Sequence, residues 1–382
     1  MFHLVPCLPL AYVAVRFVLP LSLPTWAMLA SVTVLAVGSQ FHLWSRLSSG
    51  SVFAPEFPRG VVIVLNVLFG LLLFLAAFQL ALDVGAGVLG IARGSWVSIP
   101  SPVRLAVAFL AGALAVRGVA QAVRLPEVRR VAVGIDDLPL QLEGYHVLQL
   151  TDFHASRLFP RSWMEEVVSL ANGLGADLVA VTGDLADGTV ETRRADVEPL
   201  RRLVAPDGVW VIPGNHEYFF GQEAWSRHSH DIGMQTLANE HAVIERDGAR
   251  LVLAGVTDLS APESGLPGPD LARALEGAPL QAPVILLDHQ PSRAPRAAEA
   301  GVALQLSGHT HGGMILGPHW LVARANGGFV SGSYQVGRMV LYVGNGTGIW
   351  PGFALRIGKP AEMTLFALHH RARDGSAELF PQ

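Results

Sequence analysis

The chain has 382 residues, 51% of them hydrophobic and only 15% charged, a balance poor in charge for a soluble enzyme. Its formal net charge of −4 argues against a nucleic-acid binder, which would present a basic surface. The single cysteine, Cys7, excludes a disulfide framework and leaves no thiolate for a metal site.

The hydrophobic excess lies before Arg124. Leu4 to Leu19, Thr25 to Leu43, Val61 to Leu82 and Pro102 to Val123 are apolar runs near the roughly 20 residues a bilayer crossing needs. Residues 1–124 are therefore expected to form four transmembrane helices. They are too many, and continue too far, for a cleaved signal peptide. Few ionisable residues (Arg16, Asp83, Arg117) lie in or beside these runs, which favours an anchor in the lipid bilayer over a transport path. Four spans would put Arg46, Arg59, Arg124, Arg129 and Arg130 on one side, against Arg93 and Arg104 on the other. Basic residues concentrate on the cytoplasmic side. The rest of the chain is thus expected in the cytoplasm, beneath a bacterial-type inner membrane. Residues 125–142, with Pro126 and Pro139, read as a linker, and residues 143–382 as a second domain.

In that second domain, short aliphatic runs each lead into a polar motif. His146 to Leu150 precedes Asp152-Phe-His154, and Asp177 to Val181 precedes Gly183-Asp184-Leu-Ala-Asp187. Gly208 to Ile212 precedes Gly214-Asn215-His216-Glu217, Val284 to Leu287 precedes Asp288-His289, and Val302 to Leu306 precedes Gly308-His309-Thr-His311. Such runs are the pattern of strands buried on both faces. Between the first two, Arg161 to Leu174 places Trp163, Met164, Val167, Val168 and Ala171 at helical spacing, which makes a βαβ unit. Asp247-Gly248 signals a hairpin, and Met339 to Val343 and Met363 to Leu368 are two further strands. The pattern predicts a layered α/β sandwich whose loops converge at the carboxyl ends of the strands.

Carboxylate, amide and imidazole donors suit hard-to-intermediate divalent ions, Mn first, with Fe, Zn or Mg as alternatives. Two such ions about 3.5–4 Å apart need a bridging ligand, and a carboxylate bridges while offsetting charge. Asp184, directly after Gly183 at a strand end, is the candidate bridge. A bridging hydroxide would attack phosphorus. His216 would protonate the leaving oxygen, with Glu217 as a candidate to orient it.

The ordered set resembles the calcineurin-like metallophosphoesterase superfamily, whose pattern is DxH, GDxxD, GNH(D/E), a lone His and GHxH. Thr151-Asp152-Phe-His154 and the late Leu355-Arg356-Ile-Gly are similar to its bacterial membrane-associated phosphodiesterase branch. The resemblance implies a four-layer α/β/β/α sandwich behind the helical transmembrane region. It implies one metal held by Asp152, His154, Asp184 and His311, and a second held by Asp184, Asn215, His289 and His309. His216 matches the proton-donor position and Asp187 a supporting one. Met314 departs from the branch, as does the apolar stretch Trp320 to Phe329, which reads as domain core or as a wall for an acyl chain.

Elsewhere, His228, His230, His241 and His319 read as solvated or helix-end residues, although His228 or His230 would be near enough in sequence to reach a phosphate. Arg193-Arg194 and Arg201-Arg202 read as an exposed helix face, and Gly344-Asn-Gly346-Thr-Gly348 as a turn. The expected function is a membrane-anchored hydrolase of phosphodiester or pyrophosphate bonds, with a lipid-linked or nucleotide-sugar substrate in view. The alternative is a membrane-bound metal or ligand sensor that keeps the fold without turnover. Loss of Asp184 or His216 would mark the sensor, and both are present.

Overall fold

In the computed structural model, which describes residues 5–371, the apolar first third is helical and the remainder is built on two sheets. The chain divides into two units. One comprises the residues up to Val123 together with Trp350–Ile357, and the other comprises Arg124–Ile349 and the chain from Gly358 onward.

The helical unit contains α1 (Cys7–Val13), α2 (Thr25–Ser39), α3 (Phe41–Ser49), α4 (Arg59–Arg93) and α5 (Ser101–Ala122). The four expected spans are not four straight helices. The first stretch is a short apolar helix reaching only Leu21, where Ser22 turns left-handed at φ 52. The second breaks at Gln40, and α2 and α3 are bent by 52°. Among the described residues, α4 and α5 alone are each long and apolar enough to cross a membrane, and α2 with α3 would make a third span. Hydropathy measures apolar length and is blind to such breaks. At 35 residues, α4 is about 52 Å long, well beyond the roughly 30 Å hydrocarbon core. Its polar residues are paired. Asp83 accepts hydrogen bonds from Tyr12 (2.7 Å), Arg16 (2.9 Å) and Gln79 (2.7 Å), while Arg104 donates to the Gln79 carbonyl at 2.8 Å. These bonds at Gln79 and Asp83 join α4 to Tyr12 of α1 and to Arg104 of α5.

The second unit has two six-stranded sheets. The strands are β1 (Glu127–Asp136), β2 (His146–Leu150), β3 (Leu178–Thr182), β4 (Val209–Ile212), β5 (Gln235–Thr236), β6 (Glu240–Arg246), β7 (Ala249–Gly255), β8 (Val284–Leu287), β9 (Leu304–Ser307), β10 (Gly332–Val336), β11 (Met339–Val343) and β12 (Glu362–Arg371). Their orders are β1-β12-β2-β3-β4-β5 and β10-β11-β9-β8-β7-β6. The helices are α6 (Arg161–Asn172), α7 (Val190–Val197), α8 (Asn215–Phe220), α9 (Gln222–Asp231), α10 (Leu271–Ala274), α11 (Ala294–Glu299) and α12 (His319–Ala325). The sheets meet face to face. Val147, Leu178, Ala180, Trp210 and Ile212 of one share a buried cluster with Leu251, Leu253, Ile285, Leu287, Leu304 and Leu306 of the other. Each such aliphatic side chain adds about 1.5–3 kcal/mol on burial.

The segment expected to be a linker is the edge strand β1 and a short 3₁₀ turn. β1 runs parallel to β12 over its whole length, from Glu127 beside Glu362 to Asp136 beside Arg371. Its first half is exposed, so alternation is weak there, and pairing with a distant strand supplies the order. The hairpin at Asp247-Gly248 joins β6 and β7 with both residues at positive φ (51 and 81), as a two-residue turn of the primed type requires.

Candidate metal centre

In the first sheet β2, β3 and β4 are parallel neighbours, and in the second β8 and β9 are. Asp152, Asp184, Asn215, His289 and His309 follow their carboxyl ends directly, so the register brings them to one edge. Several donors sit on strained backbone. Asp152 (φ 53), His154 (φ 49), Asp184 (φ 56), His309 (φ 69) and His311 (φ 50) are all left-handed, a conformation costing a non-glycine residue about 1–2 kcal/mol. Strain concentrated on potential ligands marks a site whose geometry the surrounding fold dictates. Glycines admit the carboxylates: a Cβ on Gly214 would stand 2.2 Å from Asp184 Oδ1, and one on Gly308 would stand 2.3 Å from Asp152 Oδ2.

Asp184 is central. Its Oδ2 lies 3.3 Å from His289 Nε2, 3.7 Å from His154 Nε2 and 4.0 Å from His216 Nε2. Asp152 Oδ1 lies 3.9 Å from His154 Nε2 and 3.8 Å from His311 Nε2, and these two nitrogens face each other at 3.2 Å. On the other side, Asn215 Oδ1 is 3.2 Å from His289 Nε2 and 2.9 Å from His309 Nδ1. The sequence-predicted donors Asp152, His154, Asp184, Asn215, His289, His309 and His311 are therefore all gathered here. Three His/carboxylate groupings are tight enough to hold an ion, namely Asp152/His154/His311, His154/Asp184/His216 and Asp152/Asp184/His289.

The tautomers follow from the partners. His289 Nδ1 donates to the Thr182 carbonyl at 2.7 Å, and His154 Nδ1 sits 3.1 Å from Asp187, so we assign the lone pairs to both Nε2 atoms. Burial raises the Asp152 carboxyl above its usual range, with neighbouring Asp184 adding to the effect. Burial lowers His309 to about 4 and keeps its imidazole neutral. Fully buried carboxylates and facing imidazole lone pairs, with no lysine or arginine in the motif segments, are a donor set that fits divalent cations.

The catalytic candidates divide. His216 Nδ1 is hydrogen-bonded to Asp187 Oδ1, which leaves Nε2 pointing to the Asp184 side of the cluster. Burial opposes the charge on His216, but Asp184 and Asp187 outweigh it and raise the imidazole to about 9. Glu217 does not orient His216. Its carboxylate accepts from the backbone N–H groups of Gly214 (2.7 Å), Leu185 (2.8 Å) and Asp184 (3.0 Å). As the third residue of α8 it closes a capping box onto Gly214, and it extends that clasp to the neighbouring motif turn.

Further corrections concern residues around the cluster. Arg193, read as exposed, is 1% exposed and donates from Nε to the Asp187 carbonyl at 2.9 Å. Gly344 to Gly348 is more than a turn. Thr347 N donates to the Thr151 carbonyl (2.7 Å) and Gly348 N to the Asp152 carbonyl (2.9 Å), so this stretch underlies the first ligand. Sequence reading quoted Thr151 within its motif but gave it no role; its hydroxyl donates to Asp152 Oδ2 at 2.8 Å. The glycine spacing was the available signal for the loop, and nothing local signals Arg193. His228 and His230 lie in the last turn of α9, with Arg194, Glu198, Asp231 and Arg201 as charged neighbours of His228, and take no part in the cluster. His241 pairs with the Ala274 carbonyl, and His319 opens α12. That helix has no buried residue; Trp320 (58%) and Leu321 (54%) are exposed, so only the Phe329 end of the stretch is core.

A family model described as calcineurin-like phosphoesterase matches residues 145–313. A transmembrane protein with metallophosphoesterase domain from Danio rerio is 35% identical over 264 residues, 67% of this chain and 60% of that protein. A metallophosphoesterase of Helicobacter pylori strain J99 is 31% identical over 254 residues, 66% of each chain. The metallophosphoesterase YkuE of Bacillus subtilis is 31% identical over 238 residues, 60% of this chain and 81% of its own. The chain thus spans about 60% of the length of the first of these relatives.

Proposed function

Since this chain belongs to the calcineurin-like metallophosphoesterases, a family of phosphoester hydrolases using divalent metals, we propose that it is a membrane-anchored, dinuclear phosphodiesterase or pyrophosphatase. The observation that carries this reading is that Asp184 Oδ2 lies within reach of both His154 Nε2 (3.7 Å) and His289 Nε2 (3.3 Å). A carboxylate so placed would bridge two ions, the first completed by Asp152, His154 and His311, the second by Asn215, His289 and His309.

When bound, the ions would polarise the phosphoryl oxygens and make a coordinated water acidic. The chain's own residues do the rest. Asp187 holds His216 by Nδ1 and keeps Nε2 facing the cluster, where a charged imidazole donates its proton to the leaving oxygen. Asp187 also fixes the ring of His154. Glu217 ties the turns of Asp184 and Asn215 together. The motif segments contain no lysine or arginine to meet the second charge of a monoester, which favours a singly charged diester.

An apolar rim supports an amphiphilic, lipid-linked substrate. Phe219 is 45% exposed with its ring 5.3 Å from that of His216, and Leu316, Trp320 and Leu321 are exposed just beyond His311. For orientation, Arg93 and Arg104 flank the connection between α4 and α5, while Arg59, Arg124, Arg129 and Arg130 lie at or beyond the other ends of the two helices. The bias favours a cytoplasmic catalytic domain and depends on these two helices alone.

The test is hydrolysis of a chromogenic phosphodiester and the matching monoester by purified protein, with Mn2+ or with chelator. Diester cleavage that needs metal, vanishes in Asp184→Ala and falls steeply in His216→Ala is expected. Two bound metal ions per chain without turnover on any diester or pyrophosphate would overturn the enzyme reading in favour of a sensor.

A further inference from the structure

Glu362 opens β12 and is 5% exposed, so its carboxylate lies inside the second unit. A buried carboxylate is costly unless its oxygens are met. Arg129, itself half-exposed, approaches Oε2 only to 3.6 Å, and hydrogen bonds do the rest. Oε1 accepts from the Tyr342 hydroxyl at 2.8 Å and from Asn345 N at 3.2 Å, while Oε2 accepts from Asn345 Nδ2 at 3.0 Å. One carboxylate thus grips Asn345 by its main chain and its side chain together. With Nδ2 so committed, the oxygen end of the amide is left for Ser331, whose hydroxyl donates to Asn345 Oδ1 at 2.7 Å.

That oxygen lies against the His311 turn. A Cβ on Gly312 would stand 2.2 Å from Asn345 Oδ1, an approach only glycine allows. His311, Gly312 and Gly313 run left-handed in succession, at φ 50, 65 and 73. Such a run persists only where its surroundings impose it. The same loop also meets the His311 ring, since a Cβ on Gly346 would stand 2.9 Å from Nδ1. The backbone of β12 holds the rest of the loop without the carboxylate. Glu362 N donates to the Gly346 carbonyl at 2.9 Å, and Thr347 Oγ1 donates to the Glu362 carbonyl at 3.3 Å. A change of side chain at position 362 therefore frees Asn345 while Gly346 and Thr347 stay paired. All of these residues belong to one unit.

We propose that Glu362 is a positioning residue for His311: it holds Asn345 against the Gly312 turn and so sets the imidazole for the first of the two ions. The inference deepens the metallohydrolase reading and rests on His311 being a ligand. Ligand geometry must hold to about 0.5 Å, so a turn that loses its support binds metal less well. Loss of a supporting partner typically lowers metal affinity about 10–100-fold. The effect falls on one ion. Asn215, His289 and His309 directly follow β4, β8 and β9 or their end residues, and His309 is anchored separately, its N–H donating to the Asp152 carboxylate at 3.1 Å.

The test titrates Mn2+ into the full chain in lipid nanodiscs, with electron paramagnetic resonance separating free, singly bound and spin-coupled ions. Glu362→Gln keeps the shape but sets an amide N–H against Asn345. Asn345→Ala removes the contact with Gly312 and leaves Glu362 in place. In each variant one ion is expected to bind as in the wild type and the other about 10–100-fold more weakly, so the spin-coupled signal appears only at higher Mn2+. Ile244→Val, a change in the core between the sheets, is expected to leave both affinities unaltered, which separates positioning from a general loss of stability. Wild-type affinity for both ions in a folded Glu362→Gln or Asn345→Ala protein would overturn the proposal, as would equal weakening of both. A wild-type protein that takes up no Mn2+ would overturn the metal reading of His311 and this proposal with it, an outcome visible before any variant is compared.

Discussion

Asp187 Oδ1 is hydrogen-bonded to Nδ1 of His216, and the same carboxylate lies 3.1 Å from Nδ1 of His154. One buried acid thus sets the rings of the proposed proton donor and of a proposed metal ligand. Asp187→Asn should lower kcat on a diester by about 10–100-fold, the range seen when a ligand's supporting partner is lost. The loss should grow as the leaving alcohol becomes a poorer leaving group, because proton donation then matters more. A series of aryl and alkyl diesters measures this; equal losses across the series would show that Asp187 serves only the metal ligand. Adding His216→Ala to Asp187→Asn should lower kcat by less than the product of the two single effects, since the residues act together.

Metal removal should reduce stability. Asp152, Asp184 and Asp187 are all at most 2% exposed, and their like charges are crowded into one cluster. A ligand present at a hundred times its Kd stabilises by about 2.7 kcal/mol per site. Chelation should therefore lower the thermal midpoint of the second unit, and Mn2+ should restore it. A midpoint indifferent to chelator, in protein shown by elemental analysis to have lost its metal, would count against a buried cation site.

Glu217 predicts a different signature. Its carboxylate accepts three buried backbone N–H groups from two motif turns. Glu217→Gln keeps the shape but places an amide N–H against one of those donors. We expect a loss of about 1.5–3 kcal/mol in unfolding free energy, by analogy with hydrogen bonds to charged groups. Urea titration of metal-free protein would measure it. An unchanged midpoint with lost activity would instead assign Glu217 a direct role in the chemistry.

The pattern of these residues explains what was legible in the sequence. Each cluster donor directly follows a strand or lies within a few residues of a donor that does, so aliphatic runs and following polar residues disclosed the donor set and the sheet edge together. Asp187 was visible as a supporting residue but without its partners, and Glu217 was visible as a residue but not in its role. Sequence adjacency suggested that Glu217 orients His216, whereas the turn of α8 aims that carboxylate back at Gly214. Arg193 and the Gly344–Gly348 loop act through contacts that composition does not record. β1 was mistaken for a linker because half of it is solvent-facing, and its order comes from β12. In the helical third, apolar length was legible and helix breaks were not.

Trp320 and Leu321 bear on the substrate. Apolar composition near Trp320 fits a core as well as an exposed wall, and the structure shows α12 with no buried residue. The helix begins close to the ligands, as a Cβ on Gly313 would stand 2.5 Å from that of His319. Large apolar side chains more than half exposed beside the proposed site contribute little to stability, so replacing them should leave folding intact. Trp320→Ser with Leu321→Ser should raise KM for an acylated diester by about 10-fold or more, as about 0.8 kcal/mol is lost for each methylene left in water. The same variant should hydrolyse a short soluble diester at the wild-type rate. Parallel loss on both substrates would place α12 in support of His311. No loss on either would remove the rim as an argument for a lipid-linked substrate and leave the metal centre as the whole of the recognition.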